Sequence, residues 1–361
     1  MSAQPLSGRE RVRLALRHET ADRVPIALVC AGINPPAFRD LEAYLARERG
    51  TTAARFLKPL VDIVEVAPPY RGPSLGDRTD AWGVVRRPVS YGAGSYDEIE
   101  RYPLAAAGSV ADIEAYPWPD PDWWDYEGLR GRVARARADG DPCLMITNGN
   151  LFETSWYLRG LERMLVDAMV DEDLFTAVME RVTGFYTEFF SRALAAADGG
   201  IDLVFTADDI GDQRGPILPP EKWRRLIAPY HRRLNDAIHA RGAKVIYHTD
   251  GSVMWALDGL AEMGIDVLQA LQFSADGMDP AAMKRGWGDR LCFAGGVSVQ
   301  TTLPFGTVEE VRAEVRARID VLGEGGGYIL GPSHWIQAGT PPENIAVMFE
   351  TARDHRPSLK R

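Results

Sequence analysis

The sequence predicts a single (β/α)8 barrel, an α/β fold in which parallel strands alternate with covering helices. Three observations lead there. Short apolar runs without polar alternation recur between helical segments, the pattern of parallel strands buried on both faces. Eight such strand–helix units can be counted from VPIALV onward. Eight units favour closure into a barrel over an open doubly wound sheet. The open rival would carry a Gly-rich phosphate turn after its first strand, but here that strand runs into CAGINPPAF.

The elements follow in order. Ser7 can cap an N-terminal helix whose apolar face is Val12, Leu14, Ala15 and Leu16. Residues 22–29, DRVPIALV, read as the first strand, followed by a helix over 36–47 and a second strand over 61–67. Residues 68–141 are rich in Gly, Pro and Trp and lack a periodic apolar pattern. They read as an irregular excursion of short strands and loops with one helix over 126–138, placed to cover a substrate. Strands are then expected over 143–148, 202–207, 244–249, 266–271, 291–296 and 327–332, each followed by helix. Residues 153–169 and 172–198 supply the helices after the first of these. Residues 1–361 form one domain in this reading.

Composition bounds the function. Apolar residues make up 45% and charged residues 25%, ordinary globular values that exclude a disordered chain. The net charge of −10 repels phosphate backbones, so nucleic acid is an unsuitable partner. The three cysteines, Cys30, Cys143 and Cys292, form no CxxC pair and read as buried thiols. The first residues lack the apolar stretch of a secretory signal, and no apolar run reaches the roughly 18 residues of a membrane span. A cytoplasmic protein without a membrane partner is expected.

Barrel sites lie at the C-terminal ends of the strands. Cys30 ends the first strand there, and Asp62 opens the second. Asn148 ends the third, with Glu153 just beyond. Asp208 and Asp209 end the fourth, His248 and Asp250 the fifth, and Gln272 follows the sixth. His334 and Gln337 follow the eighth. Two of the six histidines thus fall at strand ends, while His18, His231, His239 and His355 read as solvated or structural. His248 and Asp250 lie two apart in an extended segment and can face one ion, with His334 as a third ligand. Asp250 before Gly251 suits a helix cap equally well. Of Asp208 and Asp209, adjacent in a strand, only one should enter the pocket. The other would hold a loop or a helix N-terminus. Glu153 fits a proton donor, a further ligand or a charge favoured by the helix dipole. Asn148, Asp208, Gln272, Gln337 and Asp62 are candidates for holding substrate, and Glu153, Asp209 and His248 for catalysis.

Several longer segments resemble one family. They are RERVRLALRHETADRVPIAL, DAWGV at 80–84, LFETSWYLRGLERML at 151–165, AKVIYHTDGSV, FAGGVSVQTTLPFGTVEEVRAEV and GGGYILGPSHWIQAGTPPENI. Together they resemble the uroporphyrinogen decarboxylase-like superfamily over nearly the whole chain. The resemblance is closer to its corrinoid-dependent methyltransferase branch than to the true decarboxylases. The decarboxylases carry paired arginines after the first strand to bind a polycarboxylate, and ALVCAGINPPAFRDL has none of the Arg-x-x-Gly-Arg type. The methyltransferase branch implies zinc held by a His-x-Cys pair after strand five and a late Cys or His. The matching positions are His248, Asp250 and His334, so Asp250 stands where a cysteine is usual. A carboxylate is the harder ligand. The branch also implies a corrinoid, expected on a separate protein because the chain has no Asp-x-His-x-x-Gly motif. A small-molecule substrate and a monomeric or homodimeric state are implied too. Two other readings stay open: a metal-independent decarboxylase or lyase of a small carboxylic acid using Asp62, Asp209 and His334, and a non-catalytic barrel that binds a small molecule.

Overall fold

The computed structural model describes residues 5–30 and 32–357. Seven strands form one parallel, curled sheet. They are β1 (Ile63–Glu65), β4 (Cys143–Asn150), β5 (Leu203–Ala207), β6 (Lys244–His248), β7 (Val267–Ala270), β8 (Cys292–Val297) and β9 (Tyr328–Pro332), paired in that order. Helices connect successive strands, as the βα alternation predicts. The expected strand over 22–29 is not a regular strand. It makes one parallel bridge, Ile26 to Leu330 of β9, while Ile26 oxygen accepts from Asp62 nitrogen beside β1. Pro25 has no N–H to give, so a longer ladder cannot form there.

Alternate residues of the sheet face opposite cores. Cys143, Met145, Leu203, Phe205, Ile246, Val267, Cys292 and Ile329 point inward as one apolar cluster. Leu144, Ile146, Val204, Val245 and Leu268 point outward into the layer shared with the helices. The helix Gly8–Leu16 lays Val12 and Ala15 against the inner cluster. Ser7 and Glu10 form its capping box. Cys143 and Cys292 are therefore packing residues, as the sequence suggested.

The N-terminal end of the sheet is fastened by buried ion pairs. Asp62 accepts from Arg23 at 2.6 and 3.0 Å and from Arg11 at 3.1 Å, and it also accepts from Ile26 nitrogen. Removing one member of such a cluster leaves buried charge without a partner, at about 3–5 kcal/mol. Asp62→Ala is expected to lose about that much in urea unfolding, while the mouth at the other end keeps its geometry. An unchanged unfolding midpoint would show that the cluster carries no stability.

Other expectations shift locally. The helix over 153–169 divides into Leu151–Arg159 and Leu161–Val170, because Gly160 at φ 96° breaks it. The excursion holds an antiparallel hairpin, β2 (Val85–Ser90) and β3 (Ser95–Arg101), and its helix spans Tyr126–Ala138. The hairpin reaches the sheet's C-terminal end: Tyr91 Oη donates to Gln337 at 3.0 Å, and the Tyr96 and Trp335 rings meet edge-on at 5.6 Å. No helix among the described residues is long and apolar enough to cross a membrane.

Candidate metal and acid–base site

Three donors converge where the strands end. His248 closes β6, His334 follows β9, and Cys30 follows the bridged segment. Their ligand atoms all lie within 4.8 Å of one another. Cys30 Sγ is 4.0 Å from His248 Nε2, and the two imidazole rings are 5.6 Å apart. A second group, Asp209, His248 and Asp250, shares the central histidine within the same spacing.

The tautomer of His248 is set from behind. Its Nδ1 sits 2.5 Å from Gln269 Oε1, and Gln269 Nε2 donates to the Ser333 carbonyl. The amide oxygen can only accept, so Nδ1 carries a proton and Nε2 is the nitrogen turned toward the other donors. Asp209 Oδ1 lies 4.0 Å from that nitrogen and accepts from Asp250 nitrogen at 2.8 Å. Asp250 Oδ2 faces His334 Nε2 at 3.8 Å.

Cys30 was read from sequence as a buried thiol. The structure sets it apart. Its φ of 62° lies in the left-handed region, which a residue with a Cβ enters at a cost of roughly 1–2 kcal/mol. Such strain is characteristic of functional positions. Burial would raise its pKa, but the facing imidazoles of His248 and His334 outweigh burial and bring it down to about 6. Burial would in turn lower the His248 pKa, and the Cys30 thiolate raises it well above the ordinary value. Sulfur and nitrogen thus form an anionic–cationic pair.

Glu153 is buried next to this cluster at the start of Leu151–Arg159. Burial pushes its carboxyl up to about 8, and the charges of Asp209 and Asp208 add to the rise. Asn150 Nδ2 donates to it at 2.5 Å and Tyr157 Oη at 3.4 Å. At neutral pH Glu153 therefore holds a proton, the state of a general acid.

Two substrate-contact expectations are corrected. Asp62 lies at the opposite end of the sheet, locked between Arg11 and Arg23, because it precedes β1 rather than following it. Asp208 is fully buried. It accepts from Phe152 and Glu153 nitrogens at 2.8 and 2.7 Å and pairs with His231. It is the member of the Asp pair that holds a helix N-terminus, and His231 is structural. Gln272 accepts from Gly251 nitrogen and donates to Gln300, so it fixes the turn after Asp250. Gln337 receives Tyr91 of the hairpin. Asn148 is exposed at φ 80° and lines a cavity shared with Asn150 and Tyr157.

Comparison with known proteins agrees with the fold. Residues 132–355 match the family described as uroporphyrinogen decarboxylase (URO-D), and the chain belongs to that family. A uroporphyrinogen decarboxylase of Pseudomonas aeruginosa (strain LESB58) is 24% identical over 363 residues, covering 96% of this chain and 96% of its own. One from Azoarcus sp. (strain BH72) is 29% identical over 153 residues, 41% of each chain. Among solved structures, a methyltransferase from Methanosarcina mazei superposes with a TM-score of 0.66 at 19% identity, covering 97% of this chain and 99% of that one. That likeness shows a shared fold.

Proposed function

We propose that the curled sheet and its bridging segment act as a (β/α)8 barrel enzyme, a zinc-dependent methyltransferase. It exchanges a methyl group between a small molecule and a corrinoid carried on a separate protein. The observation that carries this reading is the convergence of Cys30, His248 and His334 at the strand ends.

The donor set suits zinc. One thiolate and two imidazoles are its usual ligands, and a tetrahedral ion with Zn–S near 2.3 Å and Zn–N near 2.1 Å separates sulfur from nitrogen by about 3.6 Å. The 4.0 Å found here closes to that value with a small side-chain movement. Cys30 supplies the soft donor missing at Asp250, so the expected trio of His248, Asp250 and His334 gives way to Cys30, His248 and His334. When bound, zinc would supply a Lewis-acidic centre that polarises the methyl donor or acceptor. Gln269 keeps His248 Nε2 turned inward. Asp209 holds the Asp250 backbone, and Asp250 sets His334. Glu153 keeps a proton available beside the reacting groups. The decarboxylase reading relied on Asp62, which Arg11 and Arg23 sequester at the far end.

Elemental analysis of the purified chain is expected to find about one equivalent of zinc, and chelation to abolish methyl transfer until zinc is returned. Full activity in demonstrably metal-free protein would remove the proposal.

A further inference from the structure

The excursion, β4, the helix Leu151–Arg159 and the helix Glu172–Ala197 line a partly open cavity of about 300 Å³. It borders Glu153 through Asn150 and Tyr157, which both line it and both donate to that carboxyl. Its walls are aromatic: Trp82, Trp124, Tyr157, Phe185, Tyr186 and Phe189. These rings brace one another. Trp82 meets Phe185 at 4.8 Å and 72°, and Trp124 meets Phe189 at 5.4 Å and 76°. The walls are therefore preformed rather than assembled by a ligand.

Polar side chains share the lining: Asp80, Arg86, Thr147, Asn148, Asn150 and Thr154. Asp80 accepts from Trp82 nitrogen, Val84 nitrogen and Arg86. Arg86 gives Nη1 to Asp80 and lies 5.2 Å over the Tyr157 ring. Its other guanidinium N–H groups have no side-chain or backbone acceptor among the described residues. Asn150 Oδ1 is buried without a partner. Arg86 thus brings unused N–H donors to the wall of an aromatic-lined cavity.

We propose that this cavity binds an aromatic ring bearing an anionic substituent, with Arg86 as the anchor for the anion. The substrate that exchanges its methyl group belongs to this chemical class. The inference rests on the methyltransferase reading above for what happens to the substrate, but not for the binding itself.

Size, shape and charge support the choice. An apolar cavity of about 150 Å³ accommodates benzene, so a cavity of about 300 Å³ has room for one substituted ring. Edge-to-face contacts with the walls favour an aromatic over a saturated ring of equal size. Aromatic cages also attract quaternary ammonium groups. Here the guanidinium already covers Tyr157 and repels a second cation, while the one carboxylate lining the slot is committed to Arg86 and two backbone N–H groups. A planar carboxylate matches the free edge of Arg86.

Calorimetry and saturation-transfer NMR on the full chain, metal-free and zinc-loaded, test this with three probes. 4-Methoxybenzoate is expected to bind at least about tenfold tighter than cyclohexanecarboxylate, and choline is expected not to compete. Arg86→Gln should weaken 4-methoxybenzoate by about tenfold or more and leave neutral methoxybenzene unchanged. Trp124→Leu should weaken both, which keeps the test usable if the Arg86 variant misfolds. Equal affinity for the saturated acid, preference for choline, or indifference to both substitutions overturns the proposal. Zinc content measured on the same samples separates the two readings. Ring binding without zinc binding removes the metal proposal alone, and zinc binding without ring binding removes this one alone.

Discussion

Cys30→Ala is expected to release the metal. The substitution takes away the only thiolate of the proposed trio, so zinc affinity should fall by more than the 10–100-fold typical of losing a supporting residue. Methyl transfer should fall with it. Cys143→Ala and Cys292→Ala should leave metal content unchanged, since both thiols point into the inner packing cluster. Gln269→Leu should fall between, near the 10–100-fold range, because His248 loses the acceptor that fixes its proton on Nδ1. Elemental analysis and competition with a zinc-binding dye read these variants and Asp250→Ala. If Cys30→Ala keeps its metal while Asp250→Ala loses it, the carboxylate is the ligand after all.

Glu153→Gln is expected to make the protein more stable and much less active. The carboxyl titrates near 8 in the folded chain against about 4.5 unfolded. Because the folded value is raised, the unfolded chain sheds its proton first as pH rises. Stability attributable to the proton is complete below pH 4.5 and is lost progressively through pH 8, at about 1.4 kcal/mol per unit. At pH 7 the glutamine, which has no charge to bury, should therefore gain roughly 3–4 kcal/mol over wild type, and its advantage should grow toward pH 8. Urea unfolding of metal-free protein from pH 5 to 8 measures the slope. Methyl transfer should drop about 10²–10⁴-fold through loss of the proton donor. The wild-type decline in rate above pH 8 should vanish in the variant. Parallel stability curves for the two proteins would show that Glu153 is ionised at neutral pH.

The fold was legible where the chain repeats a simple rule. Apolar runs such as DLVFTA and KVIYHT leave no alternative to buried parallel strands, and β5 and β6 form within them. The first strand was misjudged because an apolar run says nothing about hydrogen-bond rungs, and Pro25 removes one. His248 and His334 were legible from their place after strand-like runs. The division of labour between Asp208 and Asp209 followed from the alternation of an extended chain. Asp62 misled because its partners, Arg11 and Arg23, are set by how the N-terminal helix seats beneath the sheet. Cys30 was the main omission. Its position at a strand end was visible, yet nothing local distinguishes it from Cys143 or Cys292. Its partners lie across the mouth, and its left-handed backbone exists only after folding.

The hairpin, the bridged segment and β9 meet around a trio whose members lie far apart in the sequence. Cys30 stands near one end of the described chain and His334 near the other, with His248 between. A nascent chain leaving the ribosome cannot assemble this set until synthesis has passed His334. Until then Cys30 lacks at least the His334 imidazole that helps to lower its pKa. Completion of the fold is what turns it into a thiolate. On the proposed zinc reading, a chain that stalls before the last strand lacks one of the three ligands, and full metal affinity becomes a marker of finished protein.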